Sequence, residues 1–227
     1  MQPYQIAPIA HIRSDFPQKF GIPRQSGLVQ ALTARVVFEP AYRRAEALRG
    51  IEGFSHLWLI WQFSDTLTDA FRPTVRPPRL GGNRRVGVFA SRAPYRPNGL
   101  GLSCVRLLGV EDTAEGPTLV VAGADLKDGT PIFDVKPYLP LSDCHPDATG
   151  GYTEETQAHR LQVIFPEALL ARVPADKREA LRGVLACDPR PGYEENPQEV
   201  YGLAFANLDV GFSVSGDVLT VVRVEEK

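Results

Sequence analysis

Residues 97–108 read Pro97-Asn98-Gly99-Leu100-Gly101-Leu102-Ser103-Cys104-Val105-Arg106-Leu107-Leu108, and the fold class turns on them. Gly99-Leu100-Gly101 opens like the phosphate-binding turn of a dinucleotide fold, but Cys104 occupies the place of the third glycine, so the fingerprint is absent. Residues 100–108 instead read as a strand. Moving outward, β-branched and aromatic residues bordered by Pro or Gly predict further strands at 28–38, 56–63, 86–91, 118–122, 132–135 and 160–165. A helix is expected over 41–49, ended by Gly50, and another over 167–186, broken at Pro174. Two last strands, 210–214 and 218–224, form a hairpin around Gly216. Strands do not alternate regularly with helices, so a doubly wound parallel sheet is a poor fit. The expected fold is mainly β: an antiparallel barrel or sandwich over 1–150, a polar linker within 146–157, and a small α/β C-terminal domain over 158–227.

The 227-residue chain is 43% hydrophobic and 23% charged, which excludes a disordered or fibrous protein. Its net charge of −2 hides an asymmetry. Between Ala70 and Val110 lie eight arginines (72, 76, 79, 84, 85, 92, 96 and 106) and no Asp, Glu or Lys. Arginine outnumbers lysine 20 to 5 overall. The planar guanidinium fork suits bidentate contact with phosphate or carboxylate. Solvated surface charge is the plain explanation of such a block. Its density favours an anionic ligand, nucleic acid foremost.

Several function classes are disfavoured. Cys104, Cys144 and Cys187 are odd in number and widely spaced, which argues against a disulfide framework or a zinc knuckle. His11, His56, His145 and His159 are too dispersed to suggest a local metal site, and H-E-x-x-H, G-x-S-x-G and G-x-x-x-x-G-K-[ST] are all absent. No basic stretch followed by an apolar run opens the chain, and no apolar run reaches the roughly 18 residues of a membrane helix. A soluble cytosolic protein is expected.

Four polar, proline-punctuated segments break the core periodicity. They are Ile12-Arg13-Ser14 leading to Pro23-Arg24-Gln25, then Phe54-Ser55-His56-Leu57-Trp58. The third is the run from Arg72 to Gly82 joined to Ser91-Arg92 and Arg96-Pro97-Asn98, and the fourth is Asp125 to Pro131 continuing to Pro140. Proline fixes φ and removes a donor, so such loops hold side chains in place at low entropic cost. Each has a structural alternative: Asp128-Gly129 as a tight turn, His56 as a satisfied buried histidine, Trp58 and Trp61 as core or interface. Asp134 and Lys136, two apart on one strand face, could be a plain ion pair.

Taken in order, these motifs, with Asp134-Val135-Lys136-Pro137-Tyr138-Leu139-Pro140 and Asp188-Pro189-Arg190-Pro191 followed by Tyr193, resemble the TrmO-type (YaeB-like) tRNA adenine N6-methyltransferases over nearly the whole chain. The resemblance implies an S-adenosylmethionine-dependent, β-barrel methyltransferase acting as a homodimer, without a metal, on N6 of threonylcarbamoyladenosine next to the anticodon of threonine tRNA. It implies cofactor contacts at Pro23, Arg24, Gln25, Ser64, Asp65, Arg92, Leu102, Asp125, Leu126, Lys127 and Asp128. Relatives commonly carry His where this chain has Ser64-Asp65, and at Leu102 a contact would be backbone or packing. Arg76, Arg79, Arg84 and Arg85 are the expected RNA-backbone residues. Arg92, Arg96 or Arg190 is a candidate for the threonyl carboxylate, and Tyr95 and Tyr138 for base stacking; Tyr193 belongs with the RNA-binding tail. The strand Asp134, Lys136, Tyr138 is expected to supply acid–base chemistry, through the carboxylate or through a phenol of lowered pKa near Lys136. A non-catalytic RNA-binding barrel would use the arginines without a cofactor pocket. A small-molecule methyltransferase would leave the arginines unexplained.

Overall fold

The computed structural model describes residues 4–66, 71–77, 84–156, 160–190 and 199–227. The first sheet contains β1 (Ala10–Arg13), β2 (Thr33–Phe38) and β3 (His56–Gln62). A short separate ribbon follows, β4 (Thr74–Val75) with β5 (Val86–Gly87). The first sheet then resumes as β6 (Leu100–Thr113), β7 (Gly116–Ala122) and β8 (Pro131–Pro137). A single turn, α1 (Pro140–Asp143), leaves β8. Apart from the ribbon, the strands pair antiparallel in the order β1-β2-β7-β6-β3-β8, and β8 returns to β1, closing a barrel. Closure leaves no strand edge unpaired, and register shifts at Leu107/Gly109 and Ile60/Trp61 supply the local bends it needs.

The period of two explains the interior. In β3, Leu57, Leu59 and Trp61 are buried while His56, Trp58, Ile60 and Gln62 remain partly exposed. With Ile12, Val36, Val105, Leu119, Val121 and Ile132 they fill the barrel.

A second sheet contains β9 (Gln162–Ile164), β10 (Tyr201–Phe205), β11 (Leu208–Ser215) and β12 (Val218–Glu226), in the order β10-β11-β12-β9 with β9 parallel to β12. Helices α2 (Glu167–Leu170) and α3 (Arg178–Ala186) accompany it. Pro174 interrupts the helical stretch as expected, and Gly216, at φ +57°, turns the β11–β12 hairpin. The apolar stripe of α3, Ala180, Leu181, Val184 and Leu185, packs into this second core with Leu203, Phe205, Phe212 and Leu219.

Other expectations are corrected. Residues 41–49 form no α-helix. Short 3-10 turns occur at Pro40–Tyr42, Ala45–Leu48 and Ile51–Gly53, and none contains a buried residue, so no apolar face holds a longer helix together. The strand expected over 86–91 stops at Gly87 and passes into a 3-10 turn, Val88–Ala90. Residues 28–32 are not strand, because Val29 and Leu32 point into the second core.

That last difference matters for the site. The segment between β1 and β2 crosses to the C-terminal sheet and returns. Phe16 packs edge-on against Phe205 (5.5 Å), the Ala206 N–H donates to the Asp15 carbonyl (2.7 Å), and Lys177 Nζ meets Asp15 Oδ2 (2.7 Å). A Cβ at Gly183 of α3 would lie 2.6 Å from Val29 Cγ1. Gly183→Ala gains about 1 kcal/mol of helix propensity but overpacks Val29 at a cost of about 1–3 kcal/mol. A lowered Tm is expected in thermal melts, with Val29→Ala relieving it in the double variant; an undiminished Tm in the single variant would show that Val29 yields freely.

Candidate active site

The loops leaving β1, β3 and β7, with the loop entering β6, meet at one end of the barrel. Each is held by named bonds. Ser14 donates through its N–H to Asp128 Oδ1 (3.0 Å) and through Oγ to the Leu126 carbonyl (2.8 Å), while Asp128 N–H donates to the Phe16 carbonyl (2.8 Å). Gly27 N–H donates to the Gly123 carbonyl (2.8 Å), bringing residues 23–27 against the segment after β7. Arg92 Nη1 donates to Gln25 Oε1 (2.6 Å), tying in the arginine-bearing loop.

Three carboxylates sit at this end in different surroundings. Asp65 accepts through both carboxylate oxygens from Lys127 Nζ (2.9 and 2.8 Å), with Lys19 Nζ at 3.8 Å, and the Lys127 hydrogen bond holds its pKa below the usual value. Asp128 faces Arg13 Nη1 at 3.7 Å. Asp125 accepts from Ser103 Oγ (2.6 Å), and that hydroxyl accepts from the indole Nε1–H of buried Trp61 (2.9 Å). Burial pushes Asp125 above the ordinary carboxylate value, against the Ser103 bond, backbone N–H groups of Asp125 and Ser26, and the field of Arg92. Ser103 and Trp61 were not singled out from sequence as site residues. The available signal was a serine at an inward position of β6, between buried Gly101 and Val105.

Thus Arg24, Gln25, Asp65, Arg92, Asp125, Lys127 and Asp128 share one mouth, with Pro23 and Leu126 buried beneath it and Ser64 exposed beside Asp65. Leu102 is half exposed on the outer face of β6, opposite Ile60.

The model of the tRNA-methyltransferase O N-terminal domain matches residues 11–144, and that of the TrmO C-terminal domain matches residues 158–227. The chain belongs to the tRNA-methyltransferase O family. It is 38% identical to the tRNA (adenine(37)-N6)-methyltransferase of Escherichia coli over the full length of both. It is 42% identical over 91% of each chain to a Pseudomonas aeruginosa protein carrying the provisional name S-adenosylmethionine-dependent methyltransferase RcsF. The crystal structure of TrmO from P. aeruginosa superposes with a TM-score of 0.81 at 34% identity, covering 100% of this chain and 99% of that one.

In this family member the strand expected to carry acid–base chemistry stands apart from the mouth. Asp134 and Lys136 pair with Ile60 and Trp58 of β3 and bond to each other (3.1 Å) on the outer face, which is the ion-pair alternative. Tyr138 N–H donates to the His56 carbonyl at the far end of β3, roughly 15–20 Å along the strand from Trp61. Tyr138 packs against Trp58 (5.7 Å) and His56 (6.1 Å), whose Nδ1 bonds Ser55 Oγ (2.9 Å); Trp58 Nε1–H donates to Asp143 Oδ2 (2.9 Å). The expected lowered phenol pKa is reversed: burial raises it, and the Cys144 thiol, Cys104 and Asp143 raise it further, while Lys136 is engaged by Asp134.

The arginines divide as well. Arg76, Arg84 and Arg85 are exposed, Arg85 Nη1 donating to Thr74 Oγ1 (3.1 Å). Arg96 braces its own loop through the Val88 and Ser91 carbonyls (3.2 and 2.6 Å). Arg190 is bonded to both oxygens of Asp188 (2.9 Å each), and its carbonyl accepts from Arg24 Nη2 (3.4 Å). Arg79 and Tyr193 lie outside the described residues. Beside the exposed arginines, Phe71 stacks on Phe89 with both rings largely exposed (57% and 72%), and the Arg72 guanidinium lies over Tyr95 (5.5 Å). Cys144→Ala is expected to bring the Tyr138 pKa down towards the ordinary phenol value in an NMR titration of labelled tyrosine; an unmoved or higher value would show that the thiol is not a cause of the shift.

Proposed function

We propose that this protein transfers the methyl group of S-adenosylmethionine to N6 of threonylcarbamoyladenosine next to the anticodon of threonine tRNA, working as a cytoplasmic homodimer. The coarser statement stands on the family: this is an S-adenosylmethionine-dependent tRNA adenine-N6 methyltransferase. The observation that carries the site assignment is the convergence of Gln25, Arg92, Asp125 and Lys127 at one mouth of the barrel.

The donor set there fits the cofactor. Carboxylates suit its hydroxyl and ammonium groups, a guanidinium suits its carboxylate, and buried Pro23 and Leu126 provide apolar surface. The residues that hold it in this reading are Pro23, Arg24, Gln25, Ser64, Asp65, Arg92, Leu102 and 125–128, with Leu102 acting through its backbone because its side chain points outward. When bound, S-adenosylmethionine supplies an already activated methyl carbon, which leaves positioning as the main task of the chain. The bonds among Gln25, Arg92, Ser14 and Asp128 preorganise the mouth for that task.

Substrate recognition is assigned to the arginine face. Arg76, Arg84 and Arg85, with Arg79, engage phosphates of the anticodon stem-loop; such contacts set affinity and register while extruded loop bases are read by stacking. The exposed Phe71–Phe89 pair and Tyr95 are suitable stacking surfaces. Arg92 is the preferred partner of the threonyl carboxylate: its guanidinium is steadied at the mouth by neutral Gln25, whereas Arg96 spans two carbonyls of its own loop and Arg190 is paired with the carboxylate of Asp188. The C-terminal unit contributes through its tail around Tyr193. The homodimer is supported by the exposed apolar side chains Leu102, Leu139 and Leu141 on and beside the outer face of the barrel.

The test is methyl transfer from labelled S-adenosylmethionine to threonine tRNA with and without threonylcarbamoyladenosine, followed by nucleoside analysis. Label on N6 of the modified base is expected. Equal rates on unmodified tRNA would remove the carboxylate contact, and cofactor binding without any tRNA affinity would favour a small-molecule substrate. Arg76→Ala with Arg85→Ala should weaken tRNA binding and reduce its logarithmic salt slope by about two, roughly one per lost phosphate contact, with cofactor affinity spared. An unchanged slope would place the RNA elsewhere.

A further inference from the structure

The mouth holds one carboxylate whose surroundings differ in kind from its neighbours'. Asp65 is neutralised by Lys127 and Lys19, Asp128 faces Arg13 and accepts the Ser14 N–H, and Asp134 is paired with Lys136 on the outer face. No described residue forms an ion pair with Asp125. It is held instead by a directed chain. The Trp61 indole is donor only, so it must give its proton to Ser103 Oγ (2.9 Å); the Ser103 hydroxyl hydrogen is then left for Asp125 Oδ1 (2.6 Å). Trp61 itself is closely packed, against Gly101, where any Cβ would collide with its ring, and against Phe63 (4.3 Å). The chain therefore fixes the rotamer of Asp125 and commits one lone pair of Oδ1; with the Ser26 and Asp125 amides also counted, the carboxylate keeps a further acceptor site.

We propose that Asp125 is the proton acceptor for methyl transfer, with Ser103 and Trp61 as the residues that position it. The proposal rests on the function proposed above. In the step, the N6–H bond of the adenine breaks and its proton passes to the Asp125 carboxylate. The pair left on N6 forms the bond to the methyl carbon, while the bond from that carbon to sulfur breaks with its electrons remaining on sulfur. The carboxylic acid then returns its proton to water. An acceptor raised above the ordinary carboxylate value suits the task, because proton uptake is more favourable than for an ion-paired carboxylate. The groups facing Asp125 are the Ser103 hydroxyl from β6, the Ser26 amide from the β1–β2 segment and its own amide, with Arg92 as the charged neighbour.

The chain permits a test in the free protein. Because Trp61 reports on Asp125 through Ser103, the Trp61 indole N–H resonance is expected to titrate with the Asp125 pKa, to be flat in Asp125→Asn and to be uncoupled in Ser103→Ala. In single-turnover transfer at saturating cofactor and tRNA, Asp125→Asn should lose about 100-fold or more while folding and tRNA affinity stay near wild type and cofactor affinity falls by far less than the rate. Ser103 favours the carboxylate form, so Ser103→Ala should move the acid limb of the pH–rate profile to higher pH, and Ser103→Thr should bring it back. A rate within tenfold of wild type for Asp125→Asn overturns the assignment. So does a fall in its cofactor affinity that matches the fall in rate, which would make Asp125 a cofactor ligand only, or a Trp61 resonance that does not titrate. An unmodified protein that transfers no methyl group would sink the functional reading itself, and the assignment with it.

Discussion

The contact on which the site depends is between two glycine backbones. Gly27 donates its N–H to the Gly123 carbonyl, and both residues have positive φ, +78° and +76°. A Cβ at Gly123 would approach Gly27 Cα to 3.1 Å, so a side chain there would push the two segments apart, quite apart from its strained backbone. With the backbones in contact, Ser26 reaches Asp125 and Gln25 reaches Arg92. Residues more than sixty positions apart in the chain thereby face one mouth.

The other side of the same segment is anchored elsewhere. Phe16, Val29 and Leu32 are members of the C-terminal core, Arg160 Nη2 donates to the Leu28 carbonyl (3.0 Å), and Arg190 offers its carbonyl to Arg24. The segment that carries Pro23-Arg24-Gln25 is thus shared between the barrel and the second sheet. Its contacts with that sheet include Val29 against Gly183 of α3 and Gly21 against Leu203 of β10. The C-terminal unit consequently has a structural part in the site, whatever it contributes to RNA.

Electrostatic character at the mouth is set by pairing rather than by residue type. Asp65, Asp125 and Asp128 are chemically identical, yet lysine holds one low, arginine faces another, and burial with a hydroxyl chain raises the third. Desolvation disfavours the ionised form and an adjacent cation favours it, so the partner decides which carboxylate keeps proton affinity. The same reasoning separates the arginines: Arg96 and Arg190 are consumed by bonds within the chain, whereas Arg76 and Arg85 face solvent.

The sequence by itself determined the local and compositional features. The missing third glycine at Cys104 excluded the dinucleotide fold, the alternation of His56–Gln62 gave a half-buried strand, Pro174 broke a helix, and Gly216 turned a hairpin. Each is a short-range effect of backbone geometry or of a period-two pattern, and needs no knowledge of distant residues. It also exposed the acid-free arginine block and the ordered motifs shared with the family. The tertiary structure decided what those motifs meet. That Val29 lies in another core rather than in a strand, that Asp134 is paired with Lys136 on the outer face, and that Ser103 and Trp61 hold Asp125 all depend on how the chain closes and packs. Such contacts are set by barrel closure and by packing of two cores against one shared segment, and no local pattern of side chains encodes them.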